Sequence, residues 1–230
     1  NVIQLNSDEI GFGKRESVED ILKTISQYVD CLMIRNNDHK KINQYASLNI
    51  LPIINGLSNV SHPCQTLSDI FTLKEKFGKI SNIKICWIGD YNNVLRSLIH
   101  AQNLYLFKLN IVLPKKILNK VKTDNKTNKK IFFTDNIKIG ATKSDCIMAD
   151  VWISMGEKNK SKKNYFKNYQ INKKIIEFAN KDAVFMHCLP AHRGEEVTNE
   201  VMDSKQSIIW QQAQNRMYVQ QAILSYIFNK

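Results

Sequence analysis

The chain has 230 residues, 43% of them hydrophobic and 23% charged, which suits one large globular domain or two small ones. No apolar run is long enough to span a membrane and no secretory signal pattern opens the chain, so the reading is a cytoplasmic protein with no membrane partner. The net charge of +12 invites nucleic acid. However, its excess lysine lies in 115–130 and 158–174, without the interleaved aromatics of a base-stacking surface, and no nucleic-acid partner is expected.

In chain order, strand-like apolar runs occur at 31–34, 83–88, 110–113, 131–133, 145–154, 183–187 and 207–210. Amphipathic helical patterns fill 18–28, 65–77, 93–107 and 214–228. This alternation predicts βαβ units in a mostly parallel α/β sheet. Pro63 and the polar stretch 78–82 flank a helix that joins two lobes. The opening residues 1–13 have no strand pattern, and a first lobe with about two strands buries little surface alone. The chain is therefore read as beginning within a domain. The five cysteines, at 31, 64, 86, 146 and 188, are odd in number and lack metal-type spacing, as expected of reduced thiols.

The run Val184-Phe185-Met186-His187-Cys188-Leu189-Pro190 is a strand that delivers a histidine and a cysteine to the carboxyl edge of the sheet, where open α/β folds bind ligands. A thiol nucleophile served by His192 is one reading, and a pocket-lining thiol is another. Neighbours on a strand face opposite ways, which argues against a direct Cys188–His187 dyad. In Gly89-Asp90-Tyr91-Asn92-Asn93 a strand turns into a helix, either by capping or to bind a ligand, without the dinucleotide glycine fingerprint. Asp150 and Ser154 share a face if the chain between them is extended, and together suit an ammonium or amino-acid head group. A second helix cap explains them equally.

Ser61-His62-Pro63-Cys64-Gln65 places His62 at a helix start, where His62 and Gln65 reach one bound oxygen, unless the histidine is incidental. Arg35 ends a strand, and Arg216 is placed at the start of the last helix. Guanidinium forks suit phosphate and carboxylate, although surface solvation accounts for either alone.

Taken in order, these motifs resemble the aspartate/ornithine carbamoyltransferase family, on its ornithine branch. Asn55-Gly56-Leu57, His62-Pro63-Cys64-Gln65, Gly89 to Asn93, Asp150-Val151-Trp152-Ile153-Ser154-Met155-Gly156, His187 to Val197 and Asn215-Arg216 carry the likeness. It extends from Gly13-Lys14-Arg15 to the last helix. The resemblance implies two doubly wound parallel-sheet lobes, with the first truncated and the second complete and Rossmann-like. Its implied boundaries are 1–77 for a carbamoyl-phosphate domain with its linking helix, 78–208 for an ornithine domain, and 209–230 for a helix packing back on the first lobe.

The activity implied is transfer of the carbamoyl group of carbamoyl phosphate to the δ-amino group of ornithine, giving citrulline and phosphate. Arg35, His62, Gln65, Arg216, Cys188 and Leu189 would bind carbamoyl phosphate, and Arg35, His62 and Cys188 would be catalytic. Asn93, Asp150, Ser154 and Met155 would hold ornithine. No metal or cofactor is implied, and the partners are the two substrates and further copies of the chain in a homotrimer.

The family's Ser-x-Arg-Thr-Arg phosphate loop is absent from the sequence, which points to a fragment or a degenerate gene product. Gln211-Gln212-Ala213-Gln214 stand where acidic residues commonly precede the Asn-Arg pair. The alternatives are a relative acting on acetylornithine or putrescine, and a non-catalytic remnant that binds ornithine.

Overall fold

A computed structural model describes residues 1–6, 10–11, 16–121, 128–154 and 160–229. The first element, α1 (Val18–Ile25), starts where Ser17 Oγ accepts the Asp20 N–H at 3.1 Å, and it buries Ile21, Leu22 and Ile25. Strand β1 (Leu32–Arg35) pairs in parallel with β2 (Ile53–Leu57), and α2 (His39–Ser47), capped by Asp38, crosses between them. The register shifts between Ile34 and Arg35, an irregularity that re-aims the last side chain of β1. Ile21, Leu22, Ile25, Tyr45 and Leu51 form a small core under this two-stranded sheet.

The linking helix α3 (Pro63–Phe77) has proline at its first turn. It stops at Gly78, whose φ of 70° and N–H to Lys74 O make the left-handed end that glycine adopts without steric cost.

A five-stranded sheet follows, built from β3 (Lys84–Ile88), β4 (Lys108–Val112), β5 (Ile131–Thr134), β6 (Cys146–Ala149) and β7 (Val184–His187). All its pairings are parallel and the spatial order is β5-β4-β3-β6-β7. Helix α4 (Asn93–Tyr105) joins β3 to β4, and α5 (Lys115–Leu118) and α6 (Ile137–Ala141) flank β5. Each face carries its own core, one around Trp87, Leu95, Leu98, Leu109 and Met186, the other around Cys86, Ile88, Ile147, Phe185 and Val201. Strands covered on both sides read as continuous apolar runs, which is why β3, β6 and β7 were visible in the sequence.

The order reverses between β3 and β6, so a crevice opens outside their carboxyl ends. Short helices α7 (Lys173–Ile176) and α8 (Asn199–Met202) precede the last helix, α9 (Ile209–Phe228). Helix α9 lies along α3: Ser68 Oγ donates to Gln212 O at 3.1 Å, and Asn215 Nδ2 donates to Thr72 Oγ1 at 2.9 Å.

Several expected elements are corrected. The run 145–154 is a strand only over Cys146–Ala149, because the chain bends beyond it at 152–153. Residues 207–210 contribute one bridge, Ser207 to Phe185, before α9 begins at Ile209, five residues earlier than its pattern suggested. Strand β2 and helix α2 went unread. Ile53-Ile54-Asn55-Gly56-Leu57 is interrupted by two poor strand formers, and α2 buries only Ile42 and Tyr45.

Candidate active site

Three chain segments meet at the carboxyl edge of the sheet. The first is the start of α3. His62 is its N-cap residue, and its backbone N–H donates to Ser97 Oγ at 2.7 Å, which ties the turn to α4. Its half-buried ring lies 3.4 Å, Nε2 to Nη1, from Arg216. Burial first, then the charges of Arg216 and Arg35, push the imidazole from its usual 6.5 down to about 4. His62 is thus neutral near pH 7 and offers one N–H as a donor. With a guanidinium facing Nε2, the proton is best placed on Nδ1, which is buried and has no hydrogen-bond partner among the described residues.

The second segment is α9. Arg216 lies well inside this helix rather than at its start, so its guanidinium is presented from a rigid element. Nη1 donates to Gln65 Oε1 at 2.5 Å. Nε and Nη2 face the Gln220 amide oxygen at 3.0 and 2.9 Å once that amide is oriented to accept. Gln65 in turn donates Nε2 to the buried Asp69 at 2.8 Å. The glutamines around Arg216 thus provide neutral acceptors that hold the cation without neutralising it. Burial raises the Asp69 carboxyl from 3.8 to about 6, against hydrogen bonds from Gln65 and Gln212 that pull it down.

The third segment is the set of strand ends. Asp150 follows β6, is 8% exposed, and has its carboxylate filled by three donors. Asn92 Nδ2 reaches Oδ2 at 2.6 Å, while the Val151 N–H at 2.8 Å and the Cys188 thiol at 3.0 Å both reach Oδ1. Desolvation, followed by the charge of Asp150, holds the Cys188 thiol well above its usual 9, so it is protonated. A protonated thiol that donates to a carboxylate is a poor nucleophile. Asn92 also caps α4, its Oδ1 accepting the Leu95 N–H at 3.1 Å.

His187 and Cys188 are not neighbours on one strand, because β7 ends at His187. A His187 nitrogen, Cys188 Sγ and an Asp150 oxygen all lie within 4.8 Å of one another. The His187 ring is nevertheless engaged elsewhere. Its Nδ1 accepts the Leu189 N–H at 2.9 Å, and its Nε2 faces Glu196 Oε1 at 3.3 Å, both side chains being buried. Leu189 itself has φ 57°, in the left-handed region.

Of the remaining candidates, Arg35 is exposed at the end of β1, with its charge felt at His62. The Asn93 amide donates to Ser58 O at 2.7 Å, which ties α4 to the loop after β2. Ser154 Oγ is buried without a hydrogen-bond partner among the described residues, and it is not held on a common strand face with Asp150, since β6 has already ended. Met155 lies outside the described residues. Sequence reasoning missed Asp69, Gln212 and Asn92 as members of this network. Asp69 carried a signal, being a carboxylate four residues after Gln65 on one helix face, whereas Gln212 carried none.

Residues 1–75 match the description "Aspartate/ornithine carbamoyltransferase, carbamoyl-P binding domain", and residues 81–227 match the Asp/Orn binding domain of the same group. The chain belongs to the aspartate/ornithine carbamoyltransferase family. It is 38% identical over 228 residues to the ornithine carbamoyltransferase of Mesorhizobium japonicum, covering 97% of this chain and 75% of that protein. Against the ornithine carbamoyltransferase of Rhodopseudomonas palustris the identity is 40%, covering 97% and 74%. Among solved structures, the ornithine carbamoyltransferase of Thermus thermophilus superposes with a TM-score of 0.87 at 32% identity, covering 97% of this chain and 75% of that one. That of Pyrococcus furiosus gives 0.86 at 36% identity, covering 96% and 74%.

Proposed function

We propose that the protein transfers the carbamoyl group of carbamoyl phosphate to the δ-amino group of ornithine, giving citrulline and phosphate. The observation that carries this reading is the convergence of Arg216, Gln65 and neutral His62 on one side of the crevice with Asp150 and Cys188 on the other. Relatives at 38–40% identity are named ornithine carbamoyltransferases, which supports ornithine as the acceptor.

In the reaction the unprotonated δ-amine attacks the carbamoyl carbon, and the carbonyl oxygen gains negative charge. The carbon–oxygen bond to phosphate then breaks, and the departing phosphate takes the proton that the nitrogen sheds. His62, being neutral, donates a hydrogen bond to the developing oxyanion rather than a proton, and Arg35 adds positive charge beside it. Arg216, with Gln65 setting its orientation, faces the phosphate. Asp150, with Ser154, Asn93 and Met155, holds the amino-acid end of ornithine, and fixing amine and carbon together supplies much of the acceleration. Cys188 and Leu189 line the pocket, with the thiol as donor and not as nucleophile.

The same reading includes the division 1–77, 78–208 and 209–230, a homotrimer of chains, and a cytoplasmic location. No described helix is long and apolar enough to cross a membrane.

The test is citrulline formation from carbamoyl phosphate and ornithine by protein expressed from its whole reading frame, with acetylornithine and putrescine as rival acceptors. Absence of citrulline ends the proposal, and preference for a rival amine reassigns the acceptor.

A further inference from the structure

We propose that Asp69 is a positioning residue that aligns both halves of the transfer site at once, a role resting on the carbamoyl-transfer reading above. Asp69 is 1% exposed and belongs to α3, one turn beyond Gln65. Its Oδ1 accepts two amide donors, Gln65 Nε2 at 2.8 Å and Gln212 Nε2 at 2.7 Å. A planar amide that turns its NH2 group toward a carboxylate must turn its oxygen the other way. Gln65 Oε1 is thereby presented to Arg216 Nη1, and Gln212 Oε1 to the backbone N–H of His187 at 2.9 Å. The Ser68 hydroxyl holds the backbone of Gln212 in place for this.

Two arms therefore run from one oxygen. The first passes through Gln65 to Arg216 and His62, the phosphate and oxyanion side. The second passes through Gln212 to the last residue of β7, and so sets where the chain turns toward Cys188 and Asp150. Both glutamines could rotate freely around an apolar neighbour, and either rotation would put an NH2 group against a donor that needs an acceptor. A carboxylate accepts only, so it permits one orientation of each amide. Burial makes the ionised group costly to keep, so its presence does more for orientation than for stability.

The experiment compares Asp69→Asn and Asp69→Leu with the parent protein, all from the whole reading frame. It measures citrulline kinetics for both substrates, the folded fraction, and the titration of His62 by NMR without ligands. The His62 signal is identified by its loss in a His62→Asn variant. Folded Asp69→Leu should lose about a hundredfold in kcat/KM for each substrate, since misplacement by about an ångström has that effect. Asp69→Asn, which keeps an accepting oxygen but no charge, should lose about tenfold.

In Asp69→Leu the Gln65 amide can turn its oxygen away from Arg216 Nη1, while Gln220 still holds Nε and Nη2. Burial is the first cause of the depressed His62 titration and the guanidinium the second, so the titration should move up only part of the way from about 4. Rates that fall only with the folded fraction overturn the proposal. So does a His62 titration that stays in place in folded Asp69→Leu. If even the parent protein makes no citrulline, the transfer reading fails by itself, and the NMR titration still decides what Asp69 does.

Discussion

Arg216 and Gln65 lie 151 residues apart in the chain and meet at 2.5 Å, guanidinium to amide oxygen. This contact joins the final helix to the first turn of the linking helix, so a residue near the end of the chain completes a site begun near its start. It also gives Arg216 a fixed direction, since a guanidinium with all its neighbours on rigid helices has few other rotamers to visit.

Replacing Arg216 by Lys keeps the charge but loses the fork that reaches Gln65 and Gln220. Arg216→Lys should lower kcat/KM for carbamoyl phosphate by about a hundredfold, in line with about 2–3 kcal/mol for a charged hydrogen bond. Steady-state citrulline assays decide this, and near-parental kinetics would remove Arg216 from the phosphate side.

His62 and Asp69 predict opposite effects of pH on stability. The folded His62 pKa lies below the ordinary 6.5, at about 4, so its contribution is present above pH 6.5 and is lost as pH falls toward about 4. The folded Asp69 pKa is raised from 3.8 to about 6, so the unfolded state ionises first and stability falls as pH rises through that window. Urea unfolding across this range should show His62→Asn less sensitive to acid than the parent. Asp69→Asn should show the reverse, with relatively more stability above about pH 6. Parallel curves for all three proteins would contradict both assignments.

Cys188 donates to Asp150 and is held protonated. Cys188→Ala should therefore keep turnover within about tenfold of the parent, whereas loss of a covalent nucleophile lowers it by about a millionfold. Alkylation of the native protein by iodoacetamide at neutral pH should likewise be slow at this residue, as followed by mass spectrometry.

The Asp150 carboxylate takes three donors at the switch-point crevice. Asp150→Asn should raise KM for ornithine by about ten- to a hundredfold, since a charged partner is worth roughly 1.5–3 kcal/mol, while KM for carbamoyl phosphate changes far less. An equal rise in both constants would mean that Asp150 shapes the whole edge instead of recognising the amine substrate.

Glu196 is 1% exposed, faces His187 Nε2 at 3.3 Å and accepts the His192 N–H at 2.6 Å. Glu196→Ala leaves the His192 N–H without its acceptor and removes the carboxylate beside His187, and should lower stability by about 2 kcal/mol in urea titrations. The effect on kcat in protein that remains folded should be small, because the pair supports the turn after β7 from outside the crevice.

Much of this protein is written locally. Parallel strands buried on both faces are continuous apolar runs, so β3, β6 and β7 stood out, as did the turn residues Gly89 and Pro190 that follow two of them. The motifs around His62, Asp150, Cys188 and Arg216 marked the candidate site for the same reason: each is a short segment whose residue types and order carry the family likeness.

Other features were illegible because their cause lies elsewhere in the chain. Strand β2 exists because β1 offers it a partner, despite Asn55 and Gly56. Ser207 pairs with Phe185 for one residue only, because the chain must turn to lay α9 on α3. Local chemistry thus determined the elements, the family likeness and the residues at the sheet edge. Tertiary packing alone decided that His62 is neutral, that the Cys188 thiol donates a hydrogen bond to Asp150, and that Asp69 sits at the junction of two glutamines. Burial and non-local partners set ionisation and amide orientation, and a residue's sequence neighbours carry no record of either.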